Sequence, residues 1–215
     1  PSVAAGDRTM DGAGGDDVFV AKYSAIDGAH LWSRRFGGTG SDAATGVALD
    51  PAGNVFVTGS FSSSSIDFDG GPLASAGLDD LFVAKFSPTG VHSWSSSFGG
   101  SGIDVGSALA VDSVGDVVVT GSFEGLVSFG GATLASAGLL DVFLAKYSGL
   151  AGAHLWSQRF GSSGRDEGDA VTLDSAGHVI LAGSFQSNVD FGGGSLVGSG
   201  NDDLFAEQYA SLDGA

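Results

Sequence analysis

The stretch Asp79–Phe123, DDLFVAKFSPTGVHSWSSSFGGSGIDVGSALAVDSVGDVVVTGSF, recurs along the chain. An earlier copy opens at Asp16, a later one at Leu140, and a partial fourth at Asp202. Trp32, Trp94 and Trp156 stand 62 residues apart, as do Asp42, Asp104 and Asp166, and again Asp50, Asp112 and Asp174. Units of this kind bury their apolar faces by stacking on their neighbours, so the repeat constrains the architecture more than the length of 215 residues does. The chain divides into an irregular segment 1–15, units 16–78, 79–139 and 140–201, and a partial unit 202–215. The first segment reads as the remnant of an earlier unit or a tag scar.

Each unit carries four strand signals. Val18–Ser24 (VFVAKYS) alternates Phe19, Ala21 and Tyr23 with Val20 and Lys22, and LFVAKFS, VFLAKYS and LFAEQYA repeat it. His30–Phe36 (HLWSRRF) gives a second strand and the short GVALD, ALAVD and AVTLD a third. The turns DPAGN, DSVGD and DSAGH then supply an opening Asp and a glycine for positive φ, the chemistry of a hairpin turn. VFVTGSF and its copies form the fourth strand, and a longer segment such as SSSSIDFDGGPLASAG follows, with a brief apolar pair and a Gly-Gly turn. No window holds an apolar stripe at helical spacing, because glycine interrupts each one.

Thirteen strands of four recurring types leave a propeller of four-stranded blades or a β-solenoid. A β-roll repeats about every nine residues, far below the period here, whereas a blade takes roughly 40–50 residues. Gly46, Ala48, Gly106, Ala108 and Ala170 put small side chains on the third strand, which suits an innermost strand where blades converge. Trp32, Phe36, Phe61 and their equivalents then fill the space between sheets, each contributing roughly 1.5–3 kcal/mol when fully buried. The expected fold is all-β, a β-propeller.

The string LDPAGNVFVTGSF, followed by DFDG and DDLFVAKF, resembles the bacterial SBBP-type β-propeller repeat, and the likeness runs from about Gly14 to Tyr209. The resemblance implies a propeller in an exported or cell-surface bacterial protein, and it brings no catalytic residues. The fourth unit departs from the pattern at Glu207 and Gln208. Three full units fall short of the four or so blades that close a ring. The expectation is either additional blades from a longer protein or self-association of copies.

Composition narrows the partners. A net charge of −17 with eight Lys and Arg repels a phosphate backbone, so nucleic acid is not an expected partner. An anionic membrane surface is disfavoured for the same reason, and no apolar run is long enough to span a bilayer. The absence of cysteine excludes disulfides, thiolate metal sites and thiol catalysis.

The chemistry-bearing residues are repeated ones. GGTGSD and GGSGID echo the opening of the calcium-binding nonapeptide G-G-x-G-x-D, and GSGNDDL is a weaker echo, making Asp42, Asp104 and Asp202 candidate calcium ligands. The same pattern also fits a turn whose aspartate accepts backbone N–H bonds. Asp42, Asp104 and Asp166 precede the innermost strand, and in a closed propeller they would ring one mouth of the channel and hold a cation or polar ligand. Alternatively each ties its loop to the next blade. The doublets Asp16-Asp17, Asp79-Asp80 and Asp202-Asp203 read as solvated turn residues, since Leu140 replaces one member in the third copy. His30, His92 and His154 are repeat-equivalent and diverge, while Lys22, Lys85 and Lys146 recur beside aromatics with their ammonium groups expected in water. No nucleophile elbow or phosphate loop is present. The leading expectation is a non-enzymatic binding or scaffold module without a resident cofactor. The alternatives are a calcium-stabilised surface protein and a lyase or hydrolase with its site at the channel mouth.

Overall fold

The computed structural model describes residues 2–5 and 8–209. They contain strands and turns and no helix. All thirteen expected strands are present. They are β3 (Val18–Tyr23), β4 (His30–Phe36), β5 (Asp42–Leu49), β6 (Val55–Phe61), β9 (Asp80–Phe86), β10 (His92–Phe98), β11 (Asp104–Val111), β12 (Val117–Phe123), β15 (Asp141–Tyr147), β16 (His154–Phe160), β17 (Glu167–Leu173), β18 (Val179–Phe185) and β21 (Asp203–Tyr209). Eight further short strands pair as four hairpins. These are β1 (Ser2–Ala5) with β2 (Arg8–Asp11), β7 (Ser65–Asp67) with β8 (Pro72–Ala74), β13 (Leu126–Ser128) with β14 (Thr133–Ala135), and β19 (Asn188–Asp190) with β20 (Ser195–Val197).

The sheets do not follow the sequence units. One four-stranded sheet runs β5-β6-β9-β10 and the next β11-β12-β15-β16, all antiparallel. Each therefore joins the last two strands of one unit to the first two of the following unit. β3-β4 stand as a two-stranded sheet and β17-β18-β21 as a three-stranded one. The boundaries at 16, 79 and 140 cut blades in half, because a cyclic repeat looks the same from any starting point. The 1–15 segment is not irregular throughout: β1 and β2 pair from Ser2↔Asp11 to Ala5↔Arg8, the pairing seen between β7 and β8.

The strands expected to be innermost are innermost. β11 packs on β5 on one side and on β17 on the other. They are longer than the five-residue stretches read from sequence, since each takes in the loop aspartate or its neighbour and absorbs a β-bulge at Ala44/Gly46, Gly106/Ala108 or Gly168/Ala170. Small residues permit the approach of neighbouring sheets. A Cβ on Gly106 would lie 2.5 Å from Thr58 Oγ1, and one on Gly168 2.4 Å from Thr120 Oγ1. Thr45 Oγ1 donates across the same gap to the Gly106 carbonyl at 2.5 Å.

The central strands β6, β9, β12 and β15 are covered on both faces, so apolar residues stand at successive positions in them, as in Val55–Val57, Leu81–Ala84, Val117–Val119 and Val142–Ala145. Between the second and third sheets, Phe56, Leu81, Val83 and Trp94 meet Leu109, Val117, Val119, Phe143 and Tyr147. Equivalent layers lie on either side. The tryptophans lock sheet to sheet: Trp32 Nε1 donates to the Pro88 carbonyl at 3.0 Å and Trp94 Nε1 to Gly149 at 3.1 Å, each indole lying over the turn of the next sheet. Gly90 and Gly152 are tailored to this contact, since both adopt positive φ and a Cβ on either would strike the indole within 2.8 Å.

Candidate functional site

The repeated aspartates are the residues with chemical potential. Asp42, Asp104 and Asp166 are fully buried, each where the loop from an outermost strand enters the next innermost strand. Asp42 Oδ2 accepts Gly38 N at 2.8 Å and Ser63 Oγ at 2.7 Å, and Oδ1 accepts Ser63 N at 3.2 Å. Asp104 accepts Gly100 N at 2.7 Å and Glu124 N at 3.2 Å. Asp166 accepts Ser162 N at 2.7 Å and Gln186 N at 3.0 Å. The backbone N–H of each donates at 2.8 Å to a carbonyl just before a strand of the preceding sheet, that of Asp16 before β3, Asp79 before β9 or Leu140 before β15. One residue thus ties together a glycine loop and the end of a central strand through its side chain, and the neighbouring sheet through its backbone N–H.

This geometry is the one expected where each aspartate ties its loop to the next blade. The three carboxylates are enclosed and sit in three separate joints. Their oxygens face N–H donors, an environment that serves an anion and competes with a cation. Asp202, the remaining calcium candidate, is exposed and accepts Gln186 Nε2 at 2.9 Å. No group of three His, Asp or Glu side chains able to hold a metal ion is assembled among the described residues.

The expectation for the doublets is corrected. Asp16 and Asp79 serve through the backbone carbonyl, which explains why Leu140 substitutes for aspartate in the third copy. The second members Asp17 and Asp80, and Asp141 at the same place in the third copy, are not free in water, whereas Asp203 is half-buried. Asp80 and Asp141 are buried, and Asp17 receives Arg35 Nη1 at 2.6 Å. Arg159 makes the same contact to Asp141. Asp80 Oδ2 instead accepts Ser75 Oγ at 2.5 Å, Ala76 N at 2.8 Å and Gly77 N at 3.3 Å. Each joint therefore holds two carboxylates. Burial pushes the Asp104 carboxyl up to about 6, against the pull of the Gly100 and Glu124 N–H groups and with help from the Asp80 and Glu124 charges. Burial raises Asp166 too, opposed by its N–H donors and by Arg159.

At the opposite end of the sheets Lys85 and Lys146 are ion-paired rather than free in water, and Lys22 Nζ donates to the Pro88 carbonyl at 3.2 Å. Lys85 Nζ lies 3.3 Å from Asp50 Oδ2, donates to the Gly149 carbonyl at 2.7 Å and sits 4.8 Å from the Phe56 ring centroid. Lys146 meets Asp112 at 2.8 Å. In the last sheet Gln208 takes the lysine's place and donates to Asp174. Burial works to raise Asp50 and Asp112, but hydrogen bonds from Asn54 and Lys85, or Lys146 and Asp116, hold both below the usual carboxylate range. Lys85→Met should cost about 2 kcal/mol in unfolding free energy, the worth of a charge-assisted hydrogen bond, because Ala52 and Asn54 still serve Asp50. Lys85→Gln should recover part of that loss, as Gln208 does naturally. Urea unfolding of both variants checks the pair.

The histidines do not converge. His92 and His154 reach Ser95 and Ser157 at 3.1 and 3.0 Å, under the Gly-Gly turns of the outer hairpins. His178 pairs with Asp174 at 2.8 Å. Sequence reasoning missed those hairpins. Phe68, Phe129 and Phe191 follow β7, β13 and β19 directly and are buried with Ile66, Val127 and Val189. The recurring hydrophobe-x-phenylalanine-x-glycine in each long segment was the available signal.

Residues 31–68 match the family model of the SBBP beta-propeller repeat. The matched span covers β4 to β7 and therefore crosses from one sheet to the next, as the repeat does. Over 213 residues the chain is 26% identical to an uncharacterized WD repeat-containing protein, L264, of Acanthamoeba polyphaga mimivirus. The alignment covers 87% of this chain and 15% of that protein. The relative is viral, whereas the resemblance read from the sequence implied a bacterial source. With the packed, antiparallel four-stranded sheets, these likenesses make the chain an all-β array of propeller repeats.

Proposed function

We propose that the chain is a non-enzymatic propeller-repeat module that serves as a binding or scaffold surface, in an exported or cell-surface setting. The observation that carries the reading is the fate of the repeated polar groups. The aspartates, lysines and arginines that could have done chemistry are spent on joints that recur from sheet to sheet, and catalysis needs unlike groups converging on one point. What is left for a partner is the turn rim, where Ile26, Val91, Val114 and Leu150 are exposed at 97, 58, 79 and 91%. Exposed apolar side chains at tips held by a rigid scaffold suit a protein partner better than a charged polymer.

The test pairs a binding screen with a melt. Arrays of extracellular proteins and glycans, probed with the chain and with Ile26→Ser/Val114→Ser/Leu150→Ser, should show protein ligands that the variant loses without a change in its melting midpoint. Turnover of any hydrolase or lyase substrate would overturn the reading. Melting with calcium and with chelator should give one midpoint. A calcium-bound native state at a hundredfold excess over its Kd would add about 2.7 kcal/mol, and a raised midpoint would favour the calcium-stabilised alternative.

A further inference from the structure

Three joints share one plan but not one charge balance. In the first, Asp17 and Asp42 flank Gly37 and Arg35 binds Asp17. In the third, Arg159 binds Asp141 beside Asp166. In the middle joint, Asp80 and Asp104 flank Gly99 closely enough that a Cβ there would lie 1.7 Å from Asp80 Oδ1 and 3.1 Å from Asp104 Oδ2. The residue at the arginine's place is Ser97. No ion pair reaches either aspartate among the described residues. The charged groups that face Asp104 are Asp80, from β9, and Glu124, from the end of β12. All are acidic.

We infer that the seam between the second and third sheets is a pH-responsive joint, closed while Asp104 holds a proton beside Asp80 and loosened when Asp104 is charged. The two aspartates belong to different sheets, so their repulsion acts across the seam. Like charges this close cannot both ionise without cost in a buried setting. At the sister joints Arg35 binds Asp17 and Arg159 binds Asp141, which offsets part of that cost even where burial still raises Asp166, and Ser97 can offset none of it.

The sign follows from linkage. Asp104 binds its proton more tightly folded, at about 6, than unfolded, at 3.8. Between those values the native state holds more protons, so stability falls as pH rises through that window and levels off above it. The depressed Asp50 and Asp112 act oppositely and at lower pH, since their contribution is lost as pH falls.

The experiment is a melting series of the chain from pH 4 to 7.5, with Ser97→Arg and Asp104→Asn. The wild-type midpoint should fall up to about pH 6 and then flatten, and both variants should show a shallower fall, the remainder coming from the raised Asp166 and Asp169, with Ser97→Arg the more stable at pH 7. Slopes parallel to the wild type would overturn the inference. Hydrogen exchange of the unmodified chain, corrected for intrinsic rates, gives a reading that needs no variant. From pH 4.5 to 7 the Gly100 and Glu124 amides should lose protection about tenfold or more relative to Gly38 and Ser63 of the first joint, because opening of the seam carries the proton linkage directly. Uniform change at both joints would sink the idea.

Discussion

Phe129→Ala is expected to destabilise the chain by roughly 3–5 kcal/mol, the range for removing a buried aromatic from a packed site. Phe129 belongs to the outer excursion between β12 and β15, which in most repeat proteins would be a loop. Here its ring stacks on Phe143 with centroids 4.5 Å apart and meets Phe123 edge-on at 5.5 Å. It also lies 6.3 Å from Phe98, so it meets rings from three different strands. Those strands cannot close over the gap, since their backbones are fixed by ladder pairing on either side. Urea unfolding should show the full loss, whereas truncating Leu126, 67% exposed at the start of the same hairpin, should change stability by no more than about 0.5 kcal/mol. A small loss at Phe129 would mean that the excursion is an ornament and not part of the core.

That result bears on what the sequence could disclose. Strand positions were legible because VFVAKYS and its copies alternate with a period of two, and glycine interrupts every window that a helix would need. The innermost strand was legible from its small residues, because only Gly and Ala admit a second backbone at that distance. The phase of the blades was not legible, since similarity between repeats is unchanged by cyclic permutation, and pairing of β6 with β9 across the unit boundary is a tertiary fact. The excursions were obscured because a three-residue strand carries one buried side chain, too few for a period to emerge.

The aspartates show a different limit. G-G-x-G-x-D marks a tight loop with a carboxylate at its exit, and that description fits a calcium turn and a self-satisfied joint equally well. What separates them is where the N–H groups point. Gly38 N and Gly100 N aim at the carboxylates, so the anion is consumed by its own loop. The lysine partners were hidden for a related reason. Asp50 and Lys85 are far apart in sequence and meet only because a blade joins two units.

Gly121→Ala is expected to cost roughly 3 kcal/mol or more, at or beyond the upper end of overpacking penalties. The reason is not conformational, for Gly121 does not have positive φ. It lies at the β-bulge, where β11 shifts register between Gly106 and Ala108 and drives the Val105 carbonyl inward. A Cβ would sit 1.9 Å from that oxygen and 2.9 Å from Phe143 Cε1. A flexible side chain could yield, but a carbonyl inside a paired ladder cannot move without breaking it. The same collision awaits at Gly59 against Ala43 and at Gly183 against Glu167, at 1.9 and 2.0 Å, so the glycine of each x-G-S-F motif is required by the bulge beside it. Gly193→Ala is the internal control. A Cβ there meets nothing within 4 Å and φ is not positive, so alanine should be neutral or stabilise by up to about 1 kcal/mol through the unfolded chain. Thermal melts of the two variants should move in different directions or by very different amounts. Equal shifts would mean that the bulge yields, and with it the close approach of inner strands on which the stacking of sheets depends.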